Sequence, residues 1–161
     1  MAVGLMEVLL VNARGLGDTD IIGRMDPYVV VKYKSQEHRT SVARGQGGNP
    51  VWNERLIFRV EYPGSGEQYK LTFKIMDKDT FTRDDTVGEA TIYVKELLEL
   101  GVEKGFAEIN PKKYSVVAAD KSFRGEIQVG VVFTKKNRNL GDKHLEDGSI
   151  VNHIHRERNT T

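Results

Sequence analysis

Aspartates in two separated segments are the residues whose type and spacing could do chemistry. They are Asp18, Asp20 and Asp26 in the first segment and Asp77, Asp79, Asp84 and Asp85 in the second. Each segment lies between runs typical of β-strands, so we expect both to meet at one end of the fold. Carboxylates gathered in a small volume repel one another unless a cation lies between them. Calcium accepts about six to eight oxygen ligands in flexible geometry, so the pattern predicts a calcium site.

Other metal sites fit the pattern less well. Magnesium prefers a tighter octahedron and keeps its water, and zinc prefers cysteine and histidine ligands. An EF-hand that began at Asp77 would place Thr82 at its glycine position and Gly88 at its closing glutamate. That spacing excludes an EF-hand. Turn preference alone would explain one loop aspartate, but it does not explain two such loops.

The composition predicts an ordinary globular domain. The chain has 161 residues, no cysteine and a net charge of +1. It therefore has no disulfides, and bulk electrostatic attraction to DNA, RNA or membranes is not expected. The first residues lack a signal peptide, and no apolar run approaches the roughly 20 residues that span a bilayer. We expect a cytoplasmic protein that moves to the cytosolic face of the plasma membrane.

Period-two alternation dominates the chain, as in residues 69–76, where Tyr69, Leu71, Phe73 and Ile75 share one face. This predicts an all-β, eight-stranded antiparallel sandwich with one short helix over residues 94–100, ended by Gly101. The runs at 5–11, 28–33, 39–43, 56–60, 69–76, 87–94 and 125–134 supply seven strands. The eighth is expected at 113–117 or 106–109. Residues 1–136 form the predicted domain, and the polar segment 137–161 is predicted to be a disordered C-terminal tail.

Three motifs in order resemble those of C2 domains. They are Leu16…Asp20…Gly23…Asp26-Pro27-Tyr28-Val29, then Asn49-Pro50-Val51-Trp52-Asn53-Glu54, then Asp77-x-Asp79 followed by Asp84-Asp85-x-x-Gly88. Within that family, the chain is similar to small single-C2 plant proteins, the elicitor-responsive and 16 kDa phloem proteins. Pro63-Gly64-Ser65-Gly66 and Val94-Lys95-Glu96-Leu97-Leu98 carry this narrower resemblance.

The resemblance implies calcium ligation by five of these aspartates, with backbone carbonyls near Ile21 and Lys78. The five are Asp20, Asp26, Asp77, Asp79 and Asp85. It also implies the circularly permuted type II topology, because the first strand leads directly into the Asp20 segment. Asn49-Pro50 and Trp52 are assigned to a turn and to core packing rather than to ligation.

Apolar residues at the loop tips predict contact with lipid. These are Ile21 and Ile22 in the first loop and Phe81 in the third, flanked by the cations Arg24, Lys78 and Arg83. Full burial of one such apolar side chain is worth roughly 1.5–3 kcal/mol. Some C2 domains have a lysine-rich pair of strands that binds phosphoinositides. By resemblance to it, Lys32 and Arg39 suggest a second lipid site, a phosphoinositide patch, whereas Val30 and Ser41 do not match the pattern.

These features predict a non-catalytic, calcium-dependent module that docks peripherally on anionic phospholipid, in calcium or plant defence signalling. The alternative is a carrier or scaffold for RNA or proteins, as the phloem resemblance implies. Arginine-rich tracts and aromatic stacking motifs, which would favour RNA binding, are missing from the sequence. Nucleophile elbows and phosphate-binding glycine loops are also missing, which argues against an enzyme.

Overall fold

The computed structural model describes residues 1–17, 24–66 and 68–136. Within these ranges the chain forms eight antiparallel strands and one helix. The strands are Ala2–Arg14 (β1), Pro27–Tyr33 (β2), Gln36–Arg39 (β3), Val51–Tyr62 (β4), Lys70–Asp77 (β5), Asp85–Tyr93 (β6), Phe106–Val117 (β7) and Phe123–Lys135 (β8), and the helix is Lys95–Lys104 (α1). None of the described residues belongs to a helix long and apolar enough to cross a membrane. The predicted tail, residues 137–161, lies outside the described residues.

The strands follow the order β3-β2-β5-β6-β7-β8-β1-β4. Only one register pair, Glu89 opposite Val117, joins β6 to β7, so the strands divide there into two four-stranded sheets. At the other border between the sheets, β3 meets β4 through a side chain. The Gln36 carboxamide NH2 donates to the Arg59 carbonyl at 2.7 Å, and its oxygen accepts the Arg59 amide at 2.8 Å. The eight-stranded sandwich is thus confirmed. Strand β1 pairs with β8 and leads into the first aspartate segment, as the type II topology requires.

The core lies between the two sheets. Residues that alternate along β5, including Leu71, Phe73 and Ile75, are fully buried, as the period-two pattern predicts. Trp52 is also buried, and its indole N–H donates to the Pro27 carbonyl at 3.2 Å. This hydrogen bond satisfies the one polar group of the indole and ties β4 to the first residue of β2.

Two strand predictions were inaccurate. The run 39–43 is not a strand, because β3 ends at Arg39. Residues 40–43 make only separate hydrogen bonds to β2, from the Thr40 amide to the Val29 carbonyl at 3.0 Å and from the Ala43 amide to the Pro27 carbonyl at 2.8 Å. The two candidates for the eighth strand, 106–109 and 113–117, belong to the single strand β7. Register shifts between Ile109 and Lys112 interrupt its alternation, which hid its continuity in the sequence.

The predicted end of the helix at Gly101 was also wrong. Helix α1 continues to Lys104 and ends at Gly105, which has the left-handed φ of 90° and donates its amide to the Gly101 carbonyl. Gly101 lies inside the helix, where a Cβ would come within 2.3 Å of the Phe133 ring. This glycine therefore permits close packing of the helix on β8 and does not terminate it.

Candidate functional site

Three adjacent strand ends bring aspartates together. In the sheet register, Pro27 lies opposite Asp77, and Asp77 lies opposite Asp85. Asp26 directly precedes Pro27, so Asp26, Asp77 and Asp85 lie at neighbouring ends of β2, β5 and β6. The two segments that the sequence keeps far apart therefore meet at one end of the sandwich.

Backbone hydrogen bonds hold two of these carboxylates in place. The Asp26 amide donates to Asp77 Oδ1 at 2.9 Å, and the Gly45 amide donates to Asp26 Oδ1 at 2.6 Å. The Lys78 amide donates to the Asp26 carbonyl at 3.0 Å and closes the link between the loops. An ionised carboxylate has about four acceptor positions, so these bonds leave capacity for a cation.

Asp79 shapes the third loop, residues 78–84, through its own backbone contacts. Its Oδ1 accepts the Phe81 amide at 3.1 Å and the Thr82 amide at 3.4 Å, which is the geometry of an Asx-turn. These hydrogen bonds stabilise the charged form, so the pKa of Asp79 lies below its ordinary value. The carboxylate is therefore ionised over the physiological range.

Asp84 has a positioning role that the sequence did not reveal. Its Oδ1 accepts the Asp79 amide at 2.9 Å, its Oδ2 accepts the Tyr28 hydroxyl, and Lys78 Nζ lies 3.7 Å away. The Asp79 amide and these partners lower the pKa of Asp84, whereas burial and Asp84 raise the pKa of Tyr28. The signal in the sequence was the Asp84-Asp85 pair together with the tyrosine after Asp26-Pro27.

The donor set fits a hard cation, since all the candidate side-chain ligands are carboxylates. Within residues 1–17, 24–66 and 68–136, no group of three or more histidine, cysteine, aspartate or glutamate side chains is already arranged to hold a metal. Asp20, together with Ile21 and Ile22, lies outside the described residues. The five-aspartate ligand set stays a prediction.

The predicted membrane contacts that can be described are exposed. Phe81 is 95% exposed at the tip of the third loop, and Arg24, Lys78 and Arg83 are also exposed. Lys78 differs from the two arginines because its ammonium group also lies 3.7 Å from the Asp84 carboxylate. Lys78 therefore contributes to the third loop as well as to the exposed surface.

Lys32 and Arg39 lie on neighbouring strands β2 and β3. Lys32 Nζ is 3.4 Å from a Glu37 carboxylate oxygen, and the Arg39 guanidinium lies 5.6 Å from the centre of the Tyr28 ring. Lys74, which the sequence prediction did not include, lies opposite Val30, and Val30 lies opposite Arg39. Both predicted residues have local partners, and the phosphoinositide patch stays a prediction.

The stem of the first loop, residues 15–17, is anchored from two sides. The Gly15 amide donates to Asn49 Oδ1 at 3.1 Å, and the Leu16 amide donates to the Gly48 carbonyl at 3.1 Å. Arg124 Nε donates to the Leu16 carbonyl at 2.7 Å. Asn49 thus positions a turn, as predicted, and the path of the chain toward Asp20 is fixed at its base.

Comparisons with known proteins agree with this geometry. The C2 domain family model matches residues 4–109. The chain is similar to 16 kDa phloem protein 1 of Arabidopsis thaliana, with 54% identity over 135 residues, 83% of this chain and 86% of the relative. It is similar to Elicitor-responsive protein 1 of Oryza sativa subsp. japonica, with 51% identity over 134 residues, 81% of this chain and 84% of the relative. Neither relative has the name of an enzyme.

A solved C2 domain-containing protein is 39% identical, has a TM-score of 0.66, and aligns over 88% of this chain and 97% of its own. The resemblance found in the three sequence motifs is thereby confirmed by both sequence and structure. The chain belongs to the C2 domain family.

Proposed function

We propose that this protein is a non-catalytic, calcium-dependent module that docks peripherally on anionic phospholipid membranes. C2 domains often bind calcium and lipid. The observation that carries the proposal is the hydrogen bond from the Asp26 amide to Asp77 Oδ1 at 2.9 Å, with Asp85 opposite Asp77 in the register. It ties together the loops that bear the proposed ligands.

Asp26, Asp77, Asp79 and Asp85 would hold the ion, with Asp20 supplying the fifth carboxylate. Without a cation, these negative charges repel the phosphates of an anionic bilayer. Bound calcium would cancel this charge and offer its open positions to phosphate oxygen. Asp84 and Tyr28 maintain the third loop, so the switch is electrostatic and needs little rearrangement.

Exposed groups at the same end favour a lipid surface as the partner. Phe81 is 95% exposed, and transfer of its ring from water into the bilayer interface would lower the free energy of the system. Arg24 and Arg83 lie on the same rim, where each cation adds about 1 kcal/mol near an anionic surface. Ile21 and Ile22 are proposed as further apolar contacts. The proposed location is the cytoplasm and, after calcium entry, the cytosolic face of the plasma membrane.

Sedimentation with vesicles of phosphatidylserine and phosphatidylcholine tests the proposal. We expect binding with calcium and release with chelator, whereas equal binding in both conditions would rule out the switch. If the protein instead binds RNA with an affinity that falls steeply with salt and does not change with chelator, the alternative function as an RNA carrier is favoured.

Calorimetric titration with calcium tests the ligand assignment without lipid. Asp77→Asn removes one proposed ligand charge and should weaken binding about tenfold or more. Glu103→Gln is the matched control, because it removes one exposed acidic charge from helix α1, which follows the opposite end of β6. An unchanged isotherm for Asp77→Asn would contradict the assignment.

A further inference from the structure

The turn between β7 and β8, residues 118–122, lies at the same end of the sandwich as the aspartate loops. Glu126 in β8 lies opposite Arg14, the last residue of β1. Residues that precede Glu126 therefore extend beyond the end of β1, beside the start of the first loop. Val117 pairs with Phe123, so the hairpin is short and its tip projects from this end.

Direct contacts join this hairpin to the first loop. Arg124 Nε donates to the Leu16 carbonyl at 2.7 Å. Gly125 has a φ of +76°, and a Cβ there would come within 2.1 Å of the Arg14 carbonyl oxygen. The backbones of β8 and β1 are thus in close contact, and the hairpin and the loop stem form one surface.

The hairpin exposes an aromatic side chain from an ordered turn. Phe123 is 79% exposed, and Lys121 is also exposed. The Ala118 amide donates to the Ser122 carbonyl at 2.9 Å, and the Ser122 amide donates to Asp120 Oδ1 at 3.0 Å. Since the turn is fixed by these bonds, Phe123 is held in water and is not buried against the sandwich.

We propose that this hairpin is a further membrane-contacting element, with Phe123 entering the interface of an anionic phospholipid bilayer and Lys121 lying among its headgroups. The inference rests on the function proposed above and extends its contact surface. Phe123 supplies a second exposed aromatic at the end that carries Phe81. The cations Lys121 and Arg124 complement anionic headgroups, and tryptophan or phenylalanine beside a cation suits the bilayer interface.

Tryptophan emission tests the location of the side chain. In Phe123→Trp, binding to phosphatidylserine–phosphatidylcholine vesicles with calcium should shift the emission to the blue, and brominated lipid should quench it. Tyr93→Trp is the matched control: Tyr93 is 77% exposed but lies at the opposite end, paired with Lys70. Its emission should not change. The native Trp52 is buried and supplies the background spectrum.

Vesicle affinity tests the energetic contribution. Phe123→Ser should weaken calcium-dependent binding about tenfold, as expected for the loss of one buried aromatic contact, and Tyr93→Ser should have no effect. Calcium affinity without vesicles should be the same for both variants. If the wild type binds vesicles but the emission of Phe123→Trp is neither shifted nor quenched, this inference is wrong and the proposed function stands. If the wild type fails to bind with calcium, both are wrong.

Discussion

The hydroxyl of Tyr28 donates a hydrogen bond to the carboxylate of Asp84 and so joins β2 to the third loop. Asp84 in turn accepts the amide of Asp79, a proposed calcium ligand. We expect Tyr28→Phe to loosen this loop and to weaken calcium binding roughly three- to tenfold, since an ordered ligand loses less entropy on binding. Calorimetric titration measures the change.

Tyr33→Phe is the control for this substitution. The Tyr33 hydroxyl is buried and has no hydrogen-bond partner among the described residues, and burial raises its pKa to about 12. Removal of an unpaired buried hydroxyl should leave calcium affinity unchanged and stabilise the fold by about 1 kcal/mol. If both phenylalanine variants bind calcium like the wild type, Tyr28 does not position the loop.

Asp84 and Asp85 are neighbours of equal charge with different roles. Asp85→Asn should weaken calcium binding more than tenfold, because it removes a proposed ligand charge. Asp84→Asn should have a smaller effect, since the amide oxygen can still accept the Asp79 amide at the position of Oδ1, and the amide NH2 at the position of Oδ2 can donate to the Tyr28 hydroxyl oxygen. The ratio of the two dissociation constants, measured under one buffer condition, separates ligation from positioning. Equal losses would contradict the distinction.

Gly101→Ala should destabilise the protein, although alanine usually stabilises a helix interior relative to glycine. The new Cβ would meet the Phe133 ring at 2.3 Å, so overpacking should cost about 1–3 kcal/mol. Urea unfolding measures the loss. Glu103→Ala, at an exposed position of the same helix, should change the free energy of unfolding by less than about 0.5 kcal/mol.

The hairpin turn has a predicted acid dependence. Hydrogen bonds from the hydroxyl and amide of Ser122 lower the pKa of Asp120 below its ordinary 3.8. Because the folded-state pKa is lowered, the contribution of these bonds to stability is present above pH 3.8 and is lost as the pH falls through the folded-state pKa. Ser122→Ala should raise the pKa of Asp120, as followed by carboxyl NMR titration.

Asp79 provides the internal reference in the same titration. Its pKa is lowered by the amide of Phe81 in another loop, so it should not respond to Ser122→Ala. A shift at both aspartates would indicate a general change of the structure and would contradict the local origin of the effect.

Much of the architecture could be predicted because the core alternates. Strand β5 shows apolar side chains at every second position, and Phe73 and Ile75 are buried accordingly. The helix end could not be read in the same way, since a glycine can end a helix or allow close packing. Only the contact between Gly101 and Phe133 decides between them.

The aspartate loops were predictable as a pair, and the C2 resemblance selected Asp85 as a ligand. The role of Asp84 in holding the third loop was not predictable from its type or its position in the sequence. The register that places Asp85 opposite Asp77 and the hydroxyl of Tyr28 that binds Asp84 depend on long-range pairing. Phe123 was missed for a related reason, because its exposure follows from the path of β8 beyond β1 and not from its neighbours in sequence.

Strand β4 lies at one border of the sheet order, where open backbone groups invite pairing with a second chain. The carboxamide of Gln36 occupies both the amide and the carbonyl of Arg59 in β4, as a neighbouring strand would. At this position a single side chain therefore takes the place of a neighbouring strand, and the Arg59 backbone groups are not open to a second chain. Such protection would matter most in the proposed membrane-bound state, where many copies would be concentrated in two dimensions.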